Sequence, residues 1–163
     1  MSNPYSSPAT ELVDHRGSGI GQFKRFSAWG VLGLTVITFG IYYMYWFFSR
    51  SNRLNQFYPH KINPVFIWGS LATYIIYMVF SNLVEQLADR PELLVAGAIA
   101  SFAYLILYVG WVFAFRNRLI EMAREDGNTE FKIGPVMTFF FQALYLQYKI
   151  NEYHDKHLAG TSA

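Results

Sequence analysis

Charged residues divide the chain into long apolar stretches. Between Arg25 and Arg50 lie 24 uncharged residues, between Lys61 and Glu85 lie 23, and between Glu92 and Arg116 another 23. Each is long enough to cross a hydrocarbon core of about 30 Å as a helix, which takes about 20 residues. A fourth run, Ile133 to Tyr148, has 16 residues and carries Gly134, Pro135, Gln142 and Gln147, so it is short for a span. The pattern predicts an all-α fold, because in lipid a helix satisfies its backbone groups internally. The residues before the first run mix proline, glycine and small polar types and bury too little apolar surface to fold alone. They are read as a flexible cytoplasmic tail over 1–25, followed by a helical membrane domain over 26–152 and a second flexible tail over 153–163. Neither a secretory n-region nor a cleavage site fits the first run, which is expected to stay in the mature chain.

Charge placement decides between threadings, since lysine and arginine in short loops favour the cytoplasmic side. With four crossing segments the basic residues split seven against six. With only the second and third crossing, and the first and fourth entering and returning, Arg90 alone of the 13 basic residues lies outside. The expected architecture is therefore an integral membrane helical bundle of two full spans plus two interrupted, re-entrant segments. Four transmembrane helices are the alternative.

The stretch from Ile37 to Arg50 gathers Phe39, Tyr42, Tyr43, Tyr45, Trp46, Phe47 and Phe48 around Gly40. A break near Phe39 and Gly40 would send an aromatic half-helix back to the membrane surface, where tyrosine and tryptophan keep the ring buried and the polar atom wet. One straight helix with an aromatic belt is the competing reading.

Two internal echoes bear on this. Tyr43, Trp46, Phe48, Asn52, Arg53 and Leu54 align without a gap on Tyr108, Trp111, Phe113, Asn117, Arg118 and Leu119, so both segments leave the membrane in the same way. A weaker echo joins Val36 to Tyr45 with Val136 to Tyr145, placing Thr38 opposite Thr138. Interrupted segments at matching positions point to a binding site in membrane transporters. The breaks expected at Thr38–Gly40 and Gly134–Thr138 make Thr38, Gly40 and Thr138 candidate ligand contacts. Arg53 and Arg118, below two aromatic helix ends, are candidates for anionic lipid, each contributing about 1 kcal/mol.

Composition sharpens the picture. The chain is 53% hydrophobic, 19% aromatic and 15% charged, with no cysteine and a net charge of +2. Thiolate chemistry and disulfides are excluded, and the scattered basic residues make nucleic acid a poor partner. Neither full span holds an ionisable chain other than tyrosine, which argues against a proton-coupled transporter. Polar residues in the runs, Ser70, Thr73, Ser101 and Thr138 among them, are read as bridging helices, and Ala96, Gly97, Ala98 and Ala100 as allowing close helix approach. His154 and His157 stand three apart beside Glu152 and Asp155, a spacing able to share a metal. With no anchoring shell visible, a solvated C-terminal helix is preferred and no metal or cofactor is expected.

Thr38-Phe39-Gly40-Ile41-Tyr42, then Tyr45-Trp46-Phe47 and a basic, asparagine-containing exit, together with the closing Tyr145, Gln147, Tyr148, Lys149, Ile150, Asn151 and Glu152, resemble an uncharacterised bacterial family of small membrane proteins classed as a domain of unknown function. The resemblance implies a bacterial membrane protein, and it carries no activity, cofactor or catalytic residue; the inner membrane is the expected location. The function expected is that of a non-enzymatic membrane module with both termini cytoplasmic. It would act through membrane lipids, a second copy of itself or another membrane protein. The alternative is a small transporter or channel subunit with its site at the helix breaks.

Overall fold

The computed structural model describes residues 19–84 and 89–157. Among these, all regular structure is helical: a 3-10 turn (Gly19–Gln22), then α1 (Ala28–Ile37), α2 (Ile41–Phe57), α3 (Pro64–Leu83), α4 (Pro91–Glu125) and α5 (Pro135–His157). Ser27 caps α1 by accepting from the Gly30 amide, and Asn63 caps α3 by accepting from Val65. Pro64, Pro91 and Pro135 each open a helix, where a missing N–H costs nothing.

α3 and α4 form a long antiparallel hairpin. Phe66 meets Gly110, Leu107 meets Gly69 and Phe80 meets Gly97, a constant register along both helices. A Cβ on Gly110 would lie 2.6 Å from the Phe66 ring and one on Gly97 2.8 Å from Phe80, so these two glycines set the helix separation. Of the small residues expected to do this, Gly97 does; Ala96 and Ala98 are exposed. α3, with 20 residues, and α4, with 35, are the helices long and apolar enough to cross a membrane. At 1.5 Å per residue α4 is about 52 Å long, and its C-terminal part belongs to a different environment.

The first apolar run is a hairpin. α1 is about 15 Å long and ends where Phe39 (φ 51°) and Gly40 (φ 90°) turn the chain. Were α1 and α2 one straight helix, Phe26 and Tyr42 would be about 24 Å apart. Instead their rings lie 6.4 Å apart, Arg50 Nη2 reaches Lys24 O at 2.9 Å and Phe57 packs on Phe23. Glycine adopts the positive φ at Gly40 without a steric cost, and Thr38 closes the gap in the ladder: its Oγ1 donates to Leu34 O and accepts from the Tyr42 amide at 2.9 Å.

α5 reverses too, though not where the sequence suggests. Gly134 and Pro135 start the helix, and the non-helical residue is Gln142 (φ 36°, ψ −114°). A straight helix would separate Gly134 from Tyr145 by about 16 Å, yet the Gly134 amide donates to the Tyr145 hydroxyl at 3.1 Å and the rings of Phe131 and Tyr153 touch. A break expected at Gly134–Thr138 is thus found at Gln142, because proline fits a helix start and Thr138 bonds back to Gly134 O within the first turn.

The core sits where α2, the C-terminal half of α4 and the second half of α5 converge. Trp46, Phe47, Leu54, Trp111, Phe115, Leu119, Met122, Ala143, Leu146 and Ile150 are all at most 2% exposed. Burying a large apolar side chain stabilises by about 1.5–3 kcal/mol. Residues 19–25, read from sequence as part of a tail, lie against this core with Ile20 and Phe23 buried. Tyr153 and His154, read as the start of the second tail, continue α5 and are buried as well.

Candidate functional site

The two reversals meet. α1 packs on α5, and Tyr43, one turn into α2, donates its hydroxyl to Gln142 Oε1, which also accepts from the Tyr108 hydroxyl at 2.6 Å. Gln142 Nε2 donates to Phe139 O at 3.0 Å. A backbone conformation such as that of Gln142 costs about 1–3 kcal/mol, and two phenol donors on its amide oxygen hold it in place. The Tyr108 ring continues through Tyr104 to Tyr74 and Tyr77 with centroid spacings of 5.5 to 6.1 Å. A tyrosine seam therefore runs from the α5 break along α3 and α4.

Beside this node, a cavity of about 170 Å³ lies between α1 and α5, lined by Val31, Leu32, Thr35, Tyr43, Phe140, Phe141 and Leu144. Of the predicted contacts, Thr38 and Gly40 shape the first reversal. Thr138 is fully buried and spends its hydroxyl on Gly134 O at 2.8 Å. Of the polar groups expected to bridge helices, Tyr108 and Gln142 link α4 to α5, whereas the hydroxyls of Thr73 and Ser101, like that of Thr138, bond to carbonyls of their own segment. Ser70 is buried with no partner for its hydroxyl, and nothing in its surroundings explains it.

The aligned Trp46 and Trp111 are both buried, as are Leu54 and Leu119. Arg53 and Arg118 have separate partners. Arg53 Nε donates to Gln22 O at 2.8 Å, while Arg118 pairs with Glu121 and keeps a buried, unpartnered Nε. Between α2 and α5 lies a second polar centre that spacing did not reveal. Gln147, fully buried, accepts at Oε1 from Trp46 Nε1 and Arg50 Nη2, both at 3.1 Å, and donates to Asn151 Oδ1 at 3.0 Å. Its only sequence signal was its place in the closing motif.

A family model described as a domain of unknown function matches residues 26–153. The chain belongs to that family, DUF4234. No curated protein and no solved structure matches the chain. The DUF4234 stretch contains both reversals, the tyrosine seam and Gln147.

At the C-terminal end, the candidate metal spacing is otherwise engaged. His154 Nε2 meets Phe23 O, Asp155 pairs with Arg25, and Glu152 holds Lys149 and Lys156; the side chain of His157 lies outside the described residues. No group of three or more His, Cys, Asp or Glu able to hold a metal occurs among the described residues. Burial alone would raise the Glu152 carboxyl, but the hydrogen bonds from Lys149 and Lys156 outweigh it and hold it below its ordinary 4.5. A depressed carboxylate contributes stability that is full above the ordinary value and is lost as pH falls through the folded one. Thermal melts of detergent-solubilised protein should therefore fall as pH drops through and below 4.5, and Glu152→Gln should flatten that fall. Parallel profiles for the two proteins would refute the assignment.

Proposed function

We propose that the protein is a non-enzymatic module of the bacterial inner membrane. In this reading α3 and α4 cross the bilayer, and the α1–α2 and α5 hairpins enter from the cytoplasmic face and return to it, with both termini cytoplasmic. The module meets membrane lipid, or the apolar face of a membrane protein partner or second copy, through the hairpin tips and the upper half of α3 and α4.

The observation that carries the reading is where apolar surface lies bare. At the reversals Phe39 is 95% exposed, Phe140 70% and Ile37 73%, and on the long hairpin Ile75, Val79, Val95, Ile99, Phe102 and Ile106 are uncovered on outward faces. Contiguous apolar exposure on this scale marks a lipid or protein contact. Among the described basic residues Arg90 alone stands at the α3–α4 connection, the distribution that the positive-inside rule favours for two crossing helices. Transport at the breaks has less support. Apart from Thr35 and Tyr43, the cavity there is walled by aliphatic and phenyl groups, and the Gln142 amide is engaged by protein donors.

The test uses the absence of native cysteine. Single cysteines at Gln56, Asp89, Thr129 and Phe39 are labelled in intact cells with a membrane-impermeant maleimide. Only Asp89→Cys should react, Gln56→Cys and Thr129→Cys should react after permeabilisation, and Phe39→Cys should react only with a lipid-soluble reagent. Labelling of Phe39→Cys from outside by the impermeant reagent would overturn the returning hairpin. A photoreactive phenylalanine at Phe39 and Phe140 then separates the contacts: lipid adducts identify acyl chains, and discrete protein adducts a partner.

A further inference from the structure

Residues 22–26 lead from the end of the 3-10 turn (Gly19–Gln22) toward α1 along the base of the bundle, and four side chains from two helices hold their backbone. Arg53 donates to Gln22 O at 2.8 Å and Arg50 to Lys24 O at 2.9 Å, while Asn151 Nδ2 donates to Phe26 O at 2.7 Å. The His154 ring meets Phe23 O at 2.9 Å; since a carbonyl only accepts, Nε2 carries the proton. The donors come in two pairs, each one helical turn apart: Arg50 and Arg53 on α2, Asn151 and His154 on α5. All four address main-chain carbonyls. The buried side chains of the segment are two apolar anchors three residues apart, Ile20 and Phe23, at 0% and 1% exposure. The Phe23 ring sits edge-on to Phe57 and Phe115 at 5.6 and 5.8 Å.

Two of the four donors, Arg50 and Asn151, are arranged by contacts that do not involve the segment. Gln147 fixes Asn151 from one side and Arg50 from the other, Trp46 fixes Gln147, and the Arg50 guanidinium lies over the Trp46 ring at 5.9 Å. A groove whose donors are pre-oriented by its own walls loses little freedom when it accepts a ligand. Main-chain capture combined with apolar side-chain pockets is also the way peptides are read elsewhere, main chain for affinity and pockets for specificity.

We infer that the cleft bounded by α2, α4 and α5 is a binding groove for a peptide that presents two apolar residues three apart on one 3-10 turn, and that residues 19–26 are its occupant in cis, a strap that blocks the groove and can leave it. The strap contributes two buried side chains for eight ordered residues, and its ion pair, Arg25 with Asp155, is exposed on both sides, so its release leaves the helix-to-helix core contacts in place. A segment of this kind belongs to the least stable part of a fold.

The experiment uses the full chain in detergent micelles and a fluorescent peptide of residues 19–27. Phe23→Ala removes the larger anchor and should loosen the strap. The peptide should bind this variant saturably and at least about tenfold more tightly than it binds the wild-type protein, a difference of about 1.4 kcal/mol. A peptide carrying the same Phe23→Ala change should bind the variant at least about tenfold more weakly. Equal binding to wild-type and variant proteins, or no saturable binding to a variant whose helicity and elution match wild type, would overturn the groove. Amide exchange in the unmodified protein covers the case where the variant does not fold. Amides of residues 22–26 should exchange at least about tenfold faster than those of α4 from Trp111 to Leu119. Equal rates would show the strap fused to the core and refute its release.

Discussion

Trp111→Ala is expected to lower stability by about 3–5 kcal/mol, the range for removing a fully buried tryptophan. Trp111 is 0% exposed; its indole donates to Ser51 Oγ at 2.8 Å and its ring lies 5.8 Å from Phe47, which itself contacts Trp46, Tyr108 and Phe115. No neighbour has room to collapse, because each already packs on at least two rings. Whole domains are stable by only about 5–15 kcal/mol, so the loss should appear as a melting temperature lower by about 10 °C or more in detergent. Trp111→Phe keeps most of the ring and gives up the hydrogen bond, which should cost about 1–2 kcal/mol. Trp29, 77% exposed, supplies the control: Trp29→Ala should shift stability by no more than about 0.5 kcal/mol in micelles. A melt for Trp111→Ala within about 2 °C of wild type would mean that the aromatic cluster is not the core.

The two long helices were legible because charge spacing alone delimits them, and α3 falls inside the uncharged run between Lys61 and Glu85. The extent of α4 was less so. It passes Arg116 and runs on to Glu125 because its lower half packs on protein, where Leu119, Met122 and Ala123 are buried and charges face outward. The first reversal could be read from Gly40, whose φ of 90° is one that glycine tolerates. The second could not. Gln142 is held by Tyr43 and Tyr108, partners 99 and 34 residues away, and no local rule places a glutamine at a positive φ. The ungapped echo between the exits was informative about packing, since its tryptophans and leucines occupy equivalent buried positions on α2 and α4. It was not informative about Arg53 and Arg118, whose partners come from the strap and from Glu121. The strap itself was hidden because Ile20 and Phe23 sit among glycines and polar residues, and their burial depends on a groove whose walls come from as near as Arg53 and as far as His154, 31 and 131 residues from their partners in the strap.

Gln147→Leu is the complementary substitution, similar in size and opposite in chemistry. It should cost about 2–5 kcal/mol, although it makes the core more apolar. The reason lies with what is left behind. Gln147 Oε1 is the acceptor for the buried Trp46 indole and for Arg50, and Nε2 orients Asn151. Leucine leaves a buried donor unpaired, which costs about 1–3 kcal/mol, and more where the donor is charged. Arg50 retains Lys24 O as a partner, so its share of the penalty should be smaller than that of a stranded guanidinium. Gln147→Glu separates the two contributions. Its carboxylate still accepts from Trp46 and, beside Arg50, gains a charge-assisted bond, while the donor to Asn151 is lost. The expected order of melting temperature is therefore wild type, then Gln147→Glu, then Gln147→Leu. The strap should follow the same order: Asn151 and Arg50 are two of its four donors, so amide exchange of residues 22–26 should accelerate in Gln147→Leu beyond what the global loss of stability accounts for. If Gln147→Leu melts at or above wild type, Gln147 is only a satisfied polar residue, and the link it makes between α2 and α5 does not hold the two hairpins together.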